Sequence, residues 1–118
     1  MLAAAGRAFL TAGYEGTSID ELVRATSLLR GSLYQAFGSK RGLFLAVLRQ
    51  IAAGVLDDDA LDLVLIATLE LAPRDEDVRQ VTGEVLAGTL DPARLLGDRL
   101  LARAGLPTPS DTEERNAR

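Results

Sequence analysis

Cysteine, histidine and tryptophan are absent from the 118 residues, and methionine and lysine occur once each. Without cysteine there are no disulfides and no thiolate metal sites. Without histidine the commonest general base and the commonest metal ligand are missing. Aromatic residues make up only 4% of a chain that is 47% hydrophobic, so Leu, Ala and Val must fill the core. No apolar run approaches the ~18 residues of a membrane span, and no signal peptide with a basic start is visible. A cytoplasmic protein with no membrane partner is expected. The acidic run Asp57–Asp59 with Asp62 is the one cluster that suggests a divalent cation, but it lacks the spacing of a calcium loop and reads better as a solvated turn capping a helix. No catalytic residue, metal or cofactor is assigned, and an enzyme is not expected.

The charge that is present is unevenly placed. Residues 1–50 carry six basic and three acidic side chains, a net of +3, whereas residues 51–118 carry seven basic and fourteen acidic ones, a net of −7. A basic head on an acidic body is the asymmetry expected when one half meets phosphate.

Helical periodicity dominates, and no stretch alternates as a strand. Leu2, Ala5, Phe9 and Leu10 mark a first helix that stops at Gly13. Ser18 followed by Glu21 reads as a capping box opening a short second helix with Ile19, Leu22 and Val23 inside. "TSLL" breaks it. Leu33 and Phe37 are the inner side of a short third helix ending at Gly38, and Ser39 caps a fourth striped by Leu43, Phe44, Val47, Leu48 and Ile51. Farther on, "ALDLVLIATLELA" is a helix apolar on nearly every face, to be buried or pressed against a partner. Val78, Val81, Val85 and Leu86 line the next helix. Asp91–Pro92 opens a last one with Leu95, Leu96, Leu100 and Leu101. The fold class is all-α with about seven helices.

Two short helices joined by a tight turn and braced by longer ones are helix-turn-helix geometry, whose second helix lies in a DNA major groove. In "RGSLYQAFGSK", Gly31 and Ser32 let the backbone of that helix approach the duplex, and Tyr34 offers a hydroxyl to a phosphate. Lys40 and Arg41 open the following helix, where positive charge opposes the helix dipole unless an anion arrives. A phosphate is the anion expected there.

The stretch "AFLTAGYEGTSIDELVRATSLLRGSLYQAFGSKRGLFLAVL" resembles the DNA-binding head of the TetR family of bacterial transcriptional regulators. Phe9, Gly13, Tyr14, Thr17, Ser18, Ile19, Ala25, Gly31, Leu33, Tyr34, Phe37, Lys40, Leu43 and Phe44 carry the likeness, which runs without a gap over roughly the first fifty residues. The resemblance implies a homodimeric repressor of a double-stranded DNA operator, released by a small ligand; the inward faces of residues 43–55 and 61–90 offer few polar groups, so an apolar inducer is expected. The resemblance assigns phosphate contacts to Thr17 or Ser18, Tyr34 and Lys40, and base contacts to Arg30, Ser32 and Gln35, with Gly31 as the point of close backbone approach. Thr68, Glu70 and Gln80 are the polar groups expected to orient an inducer.

The implied organisation is a helix-turn-helix domain over residues 1–48, a small helical domain over 49–106 for dimerisation and ligand binding, and a polar tail over 107–118. Residues 60–72 and the Leu95–Leu101 stripe are expected to supply the dimer surface. Three positions depart from the family pattern: Ser27 stands where glycine is usual in the turn, Leu29 where a Ser or Thr caps the recognition helix, and Ala36 where a His or Tyr is common. A dimeric interaction module with a degenerate DNA-binding head is therefore the alternative reading.

Overall fold

The computed structural model describes residues 1–109 and contains seven α-helices: α1 (Leu2–Ala12), α2 (Ile19–Thr26), α3 (Arg30–Phe37), α4 (Lys40–Ala53), α5 (Asp58–Ile66), α6 (Glu76–Ala87) and α7 (Pro92–Arg103). The expected tail lies outside the described residues from Ser110 onward. A π-helical turn, Ala67–Leu71, continues α5. The boundary expected at residue 48 falls inside α4, which runs on through both halves. No helix among the described residues is long and apolar enough to cross a membrane.

Local chemistry explains most of the helix starts. Side chains of Ser18, Ser39, Asp57, Asp75 and Asp91 each accept a hydrogen bond from a backbone N–H in the first turn of α2, α4, α5, α6 and α7, satisfying donors that a helix leaves unpaired. The exceptions are α1, preceded by Met1, and α3, where Leu29 occupies the cap position, offers no acceptor and stands 78% exposed.

The core joins both halves. Phe9, Leu22, Leu33, Leu43, Phe44, Leu48, Val64 and Val78 are fully buried. Of the five aromatic residues, three form one cluster: Phe9 and Phe44 meet edge to face at 5.0 Å, and Tyr14 lies 5.9 Å from Phe9 and 5.2 Å from Phe44. Burial raises the Tyr14 phenol pKa, and the nearby Glu15 charge adds to the effect. α4 packs between α1 and α6, α1 against α2 and α5, and α5 against α7.

Every residue from Ala60 to Ala67 is buried, as an all-round apolar helix requires. Residues 60–72 are thus used inside the chain, and the expectation that they form a dimer surface is corrected: only Leu69 among their large apolar side chains is exposed. By contrast α7 has no buried residue, and its leucines leave apolar surface uncovered. Ion pairs take part in its attachment. Asp62 of α5 receives Arg99 Nε at 2.6 Å and Arg103 Nη1 at 3.2 Å, and Arg103 Nη2 also donates to the Leu10 carbonyl of α1 at 3.1 Å.

Between α2 and α3, Ser27 adopts φ 61° and ψ 16°, the one non-glycine residue with positive φ among the described residues. A side chain in this left-handed region clashes with the backbone and costs roughly 1–2 kcal/mol, partly offset in glycine by its larger unfolded-state entropy. Ser27→Gly should therefore raise stability by roughly 0.5–1 kcal/mol, read as a higher urea midpoint at unchanged slope.

Candidate nucleic-acid interface

The α2–turn–α3 unit presents a largely polar outer face because most of its large apolar residues turn inward, Leu29 being the exception. Leu22 and Leu33 are fully buried and Phe37 packs against the core. Arg30, Gly31, Ser32, Tyr34, Gln35 and Ala36 of α3 are all exposed. A Cβ built on Gly31 meets nothing within 4 Å. The protein's own packing therefore does not require a glycine there. Gly42 is the opposite case, since its Cβ would lie 1.9 Å from the Phe37 carbonyl oxygen where α3 turns into α4.

The structure separates Thr17 from Ser18. Thr17 is 1% exposed, and its hydroxyl lies 2.6 Å from the Gly13 carbonyl oxygen, to which it donates. Ser18 is exposed, and its Oγ accepts from the Glu21 N–H at 3.1 Å. Only Ser18 of the two has its side chain at the surface. Arg30 is not free either: its Nη2 is paired with Asp20 of α2, and both side chains are more than half exposed.

Lys40 and Arg41 have partners within the chain. Lys40 Nζ donates to the carbonyls of Tyr14 at 3.0 Å and Thr17 at 3.2 Å, and sits 4.4 Å from the centre of the Tyr14 ring. Arg41 makes a two-pronged pair with Asp75, at 2.5 and 2.9 Å, and reaches Asp77 at 2.8 Å. The anion expected at the start of α4 is thus supplied for Arg41 by the first turn of α6. Two carboxylates fixed at hydrogen-bond distance satisfy the guanidinium without a phosphate. No feature of the sequence around Arg41 signals Asp75 or Asp77, which lie 34 and 36 residues away.

Thr68, Glu70 and Gln80 do not converge on one cavity. The Thr68 hydroxyl donates to the Val64 carbonyl at 2.7 Å. Glu70 instead grips the α1–α2 loop, its two oxygens accepting from the N–H groups of Tyr14 at 3.1 Å and Glu15 at 2.9 Å. Gln80 borders a charged hollow of about 370 Å³ between α4 and α6, shared with Arg49, Asp77 and Glu84. The more apolar cleft, about 310 Å³, lies between α1, α4 and the start of α5, with Leu10, Val47, Ile51 and Leu63 on its walls and Arg7 and Asp59 among its lining. In the acidic run, Asp57 caps α5 and Asp62 is taken by Arg99 and Arg103. No group of His, Cys, Asp or Glu among the described residues is arranged to hold a metal ion.

Comparison with known proteins points the same way as the exposed face of α3. Residues 1–47 match the family model described as "Bacterial regulatory proteins, tetR family". The chain is 43% identical over 53 residues to the HTH-type transcriptional repressor AcnR of Corynebacterium glutamicum, covering 45% of this chain and 28% of that protein. The same figures hold for the repressor of that name in Corynebacterium efficiens. With an uncharacterized HTH-type transcriptional regulator of Bacillus subtilis, YezE, it shares 31% identity over 103 residues, 86% of this chain and 50% of that one. The chain thus spans half or less of the length of these relatives. No solved structure matches.

The Arg41–Asp75 pair gives the fold a pH dependence. Hydrogen bonding from Arg41 is the largest cause that lowers the Asp75 pKa from 3.8 to about 2. A carboxylate depressed in the folded state contributes stability that is full above its unfolded pKa and is lost as pH falls through the folded one. Asp75→Asn keeps an acceptor for the α6 cap but removes the charge. It should melt below the parent at pH 7, with the difference shrinking between pH 4 and pH 2, as followed by circular dichroism.

Proposed function

We propose, from the premise that this chain belongs by its first 47 residues to the TetR family of bacterial regulatory proteins, that it is a homodimeric repressor acting in the cytoplasm on a double-stranded DNA operator. That it is a DNA-binding regulator follows from the family. The operator, the dimer and control by a ligand are the proposal.

One observation carries the reading of α3 as the groove-facing helix. Gly31 sits in the first turn of α3, on its exposed face, with open space where its side chain would be, so a body lying against that face meets bare backbone. We read that body as a duplex. On this reading Arg30, Ser32 and Gln35 read base edges, Ser18 and Tyr34 contact phosphate oxygens, and Lys40 adds its remaining N–H to the same strand. Phosphate contacts set register and base contacts set sequence preference. Thr17 serves the fold, because its side chain is buried, whereas the Ser18 hydroxyl, which donates to the Glu21 carboxylate at 3.1 Å, stands at the surface. Residues 1–48 form the DNA-binding part and residues 49–106 the part that dimerises.

For the dimer, Leu90, Leu100 and Leu106 are exposed and α7 leaves its leucines unburied; a second copy packed about a twofold axis covers them. For the ligand, the cleft between α1, α4 and α5 reaches the lower end of small-molecule pockets, roughly 300 Å³, and its walls suit an apolar compound. A ligand there touches the helix that begins the DNA-binding part and the one that ends it.

Gly31→Ala tests the central assignment because its two effects have opposite signs. Stability should rise by up to about 1 kcal/mol, since alanine is the better helix former and meets no clash. Affinity for duplex DNA should fall at every salt concentration, with an unchanged salt slope because no charge is lost. Equal affinity for parent and variant, measured by fluorescence anisotropy, overturns the placement of α3. Separately, Leu100→Asp should shift the protein from dimer to monomer in sedimentation velocity at micromolar concentration.

A further inference from the structure

Asp20 is an acidic residue on the surface that the proposed function turns toward phosphate. An exposed carboxylate there repels the duplex, and an ion pair with both side chains more than half exposed returns little stability. Its position is informative. Asp20 lies in the first turn of α2, and its carboxylate is paired with Nη2 of Arg30, the first residue of α3, ten positions along the chain.

We infer that Asp20 is a positioning residue for base reading: its carboxylate holds the Arg30 guanidinium in one orientation at the start of the recognition helix, so that the remaining N–H groups meet a guanine edge. The inference rests on the reading of α3 as the groove-facing helix. Three arguments support it. An arginine side chain has many rotamers to lose, and a guanidinium already held by a carboxylate loses fewer of them on binding. The single contact at Nη2 leaves Nε, Nη1 and the second proton of Nη2, enough for the two parallel hydrogen bonds that guanine O6 and N7 accept. The neighbour on the same turn is Gly31, with nothing beside it, so no side chain of that residue stands between Arg30 and a base.

The carboxylate and its charge have opposite consequences, which makes the role measurable. Removing the charge strengthens attraction to any duplex. Removing the hold on Arg30 weakens discrimination at one base pair only. The experiment uses the full chain and a random-sequence duplex library, with bound and free fractions sequenced, alongside anisotropy on a scrambled duplex over a salt series. Asp20→Ala should bind the scrambled duplex more tightly than the parent, yet lose about fivefold to tenfold of its preference at one guanine, a share of the 1–3 kcal/mol that a bidentate arginine supplies. Arg30→Ala should abolish preference at that same base pair. Asp20→Asn, which loses the same charge but keeps an acceptor oxygen, should retain more preference than Asp20→Ala.

If Asp20→Ala gains affinity and keeps its full guanine preference, Asp20 is a repulsive charge only and the inference is overturned. The same holds if the two Asp20 variants lose preference equally. A parent that selects sequences in which Arg30→Ala changes nothing overturns the inference while leaving the DNA-binding reading intact. A parent that binds no duplex removes both. Helical circular dichroism matching the parent shows that each variant is folded.

Discussion

Two N–H groups of the α1–α2 loop, those of Tyr14 and Glu15, bond to the Glu70 carboxylate, while the carbonyls of Tyr14 and Thr17 bond to the Lys40 ammonium. A tight loop leaves peptide groups that its own turns cannot pair, and here two oppositely charged side chains from distant elements take them. Hydrogen bonds to charged groups contribute roughly 1.5–3 kcal/mol each. From below, the Tyr14 ring completes the aromatic cluster with Phe9 and Phe44. This loop ends at Ser18, the cap of α2, so its position decides where the helix-turn-helix unit stands relative to α1. The π-helical turn matters for the same reason, because it presents Glu70 toward that loop while Leu71 stays buried.

Some glycines are required by the chain's own packing and others, Gly31, Gly83 and Gly97 among them, are not. Gly42 lets α4 begin against the Phe37 carbonyl, and Gly13 takes a φ of 80° beside Glu70. Gly31 has neither reason. Ser27 and Leu29, which flank the same turn, are the mirror case: one strained in the left-handed region, the other capping nothing. The head is thus stabilised below what the same fold allows, in the few residues that lead into α3, while its core is fully packed. Of the three departures from the family pattern, Ser27 and Leu29 affect stability at the turn, whereas Ala36 lies on the exposed face of α3.

The helices and the exposed face of α3 were legible because their signals are local: 3.6-residue periodicity, Ser or Asp before a first turn, glycine after a last one. Five caps and seven helices follow from neighbours a few residues apart. The partners of the charged side chains were not legible. Lys40 and Arg41 read as a phosphate site because nothing near them is acidic, yet Asp75 and Asp77 arrive from α6. Glu70 read as a ligand contact because its helix looked like a cavity wall, yet it bonds a loop more than fifty residues away. Thr17 and Ser18 were equivalent until folding buried one of them. Asp20 carried no signal beyond its place in a first turn, where acids are common. Ion pairs across such distances leave no periodicity to read.

The attachment of α7 has a consequence for how the chain is made. Asp62 sits on the most buried helix, and the guanidinium groups of Arg99 and Arg103 compensate its charge. An unpaired carboxylate in such surroundings is strongly destabilising. Arg99 follows Asp62 by 37 residues, so during synthesis α5 emerges well before the cations that let it settle. The last of the seven helices thus supplies the charge that the most buried one needs in order to stay dry.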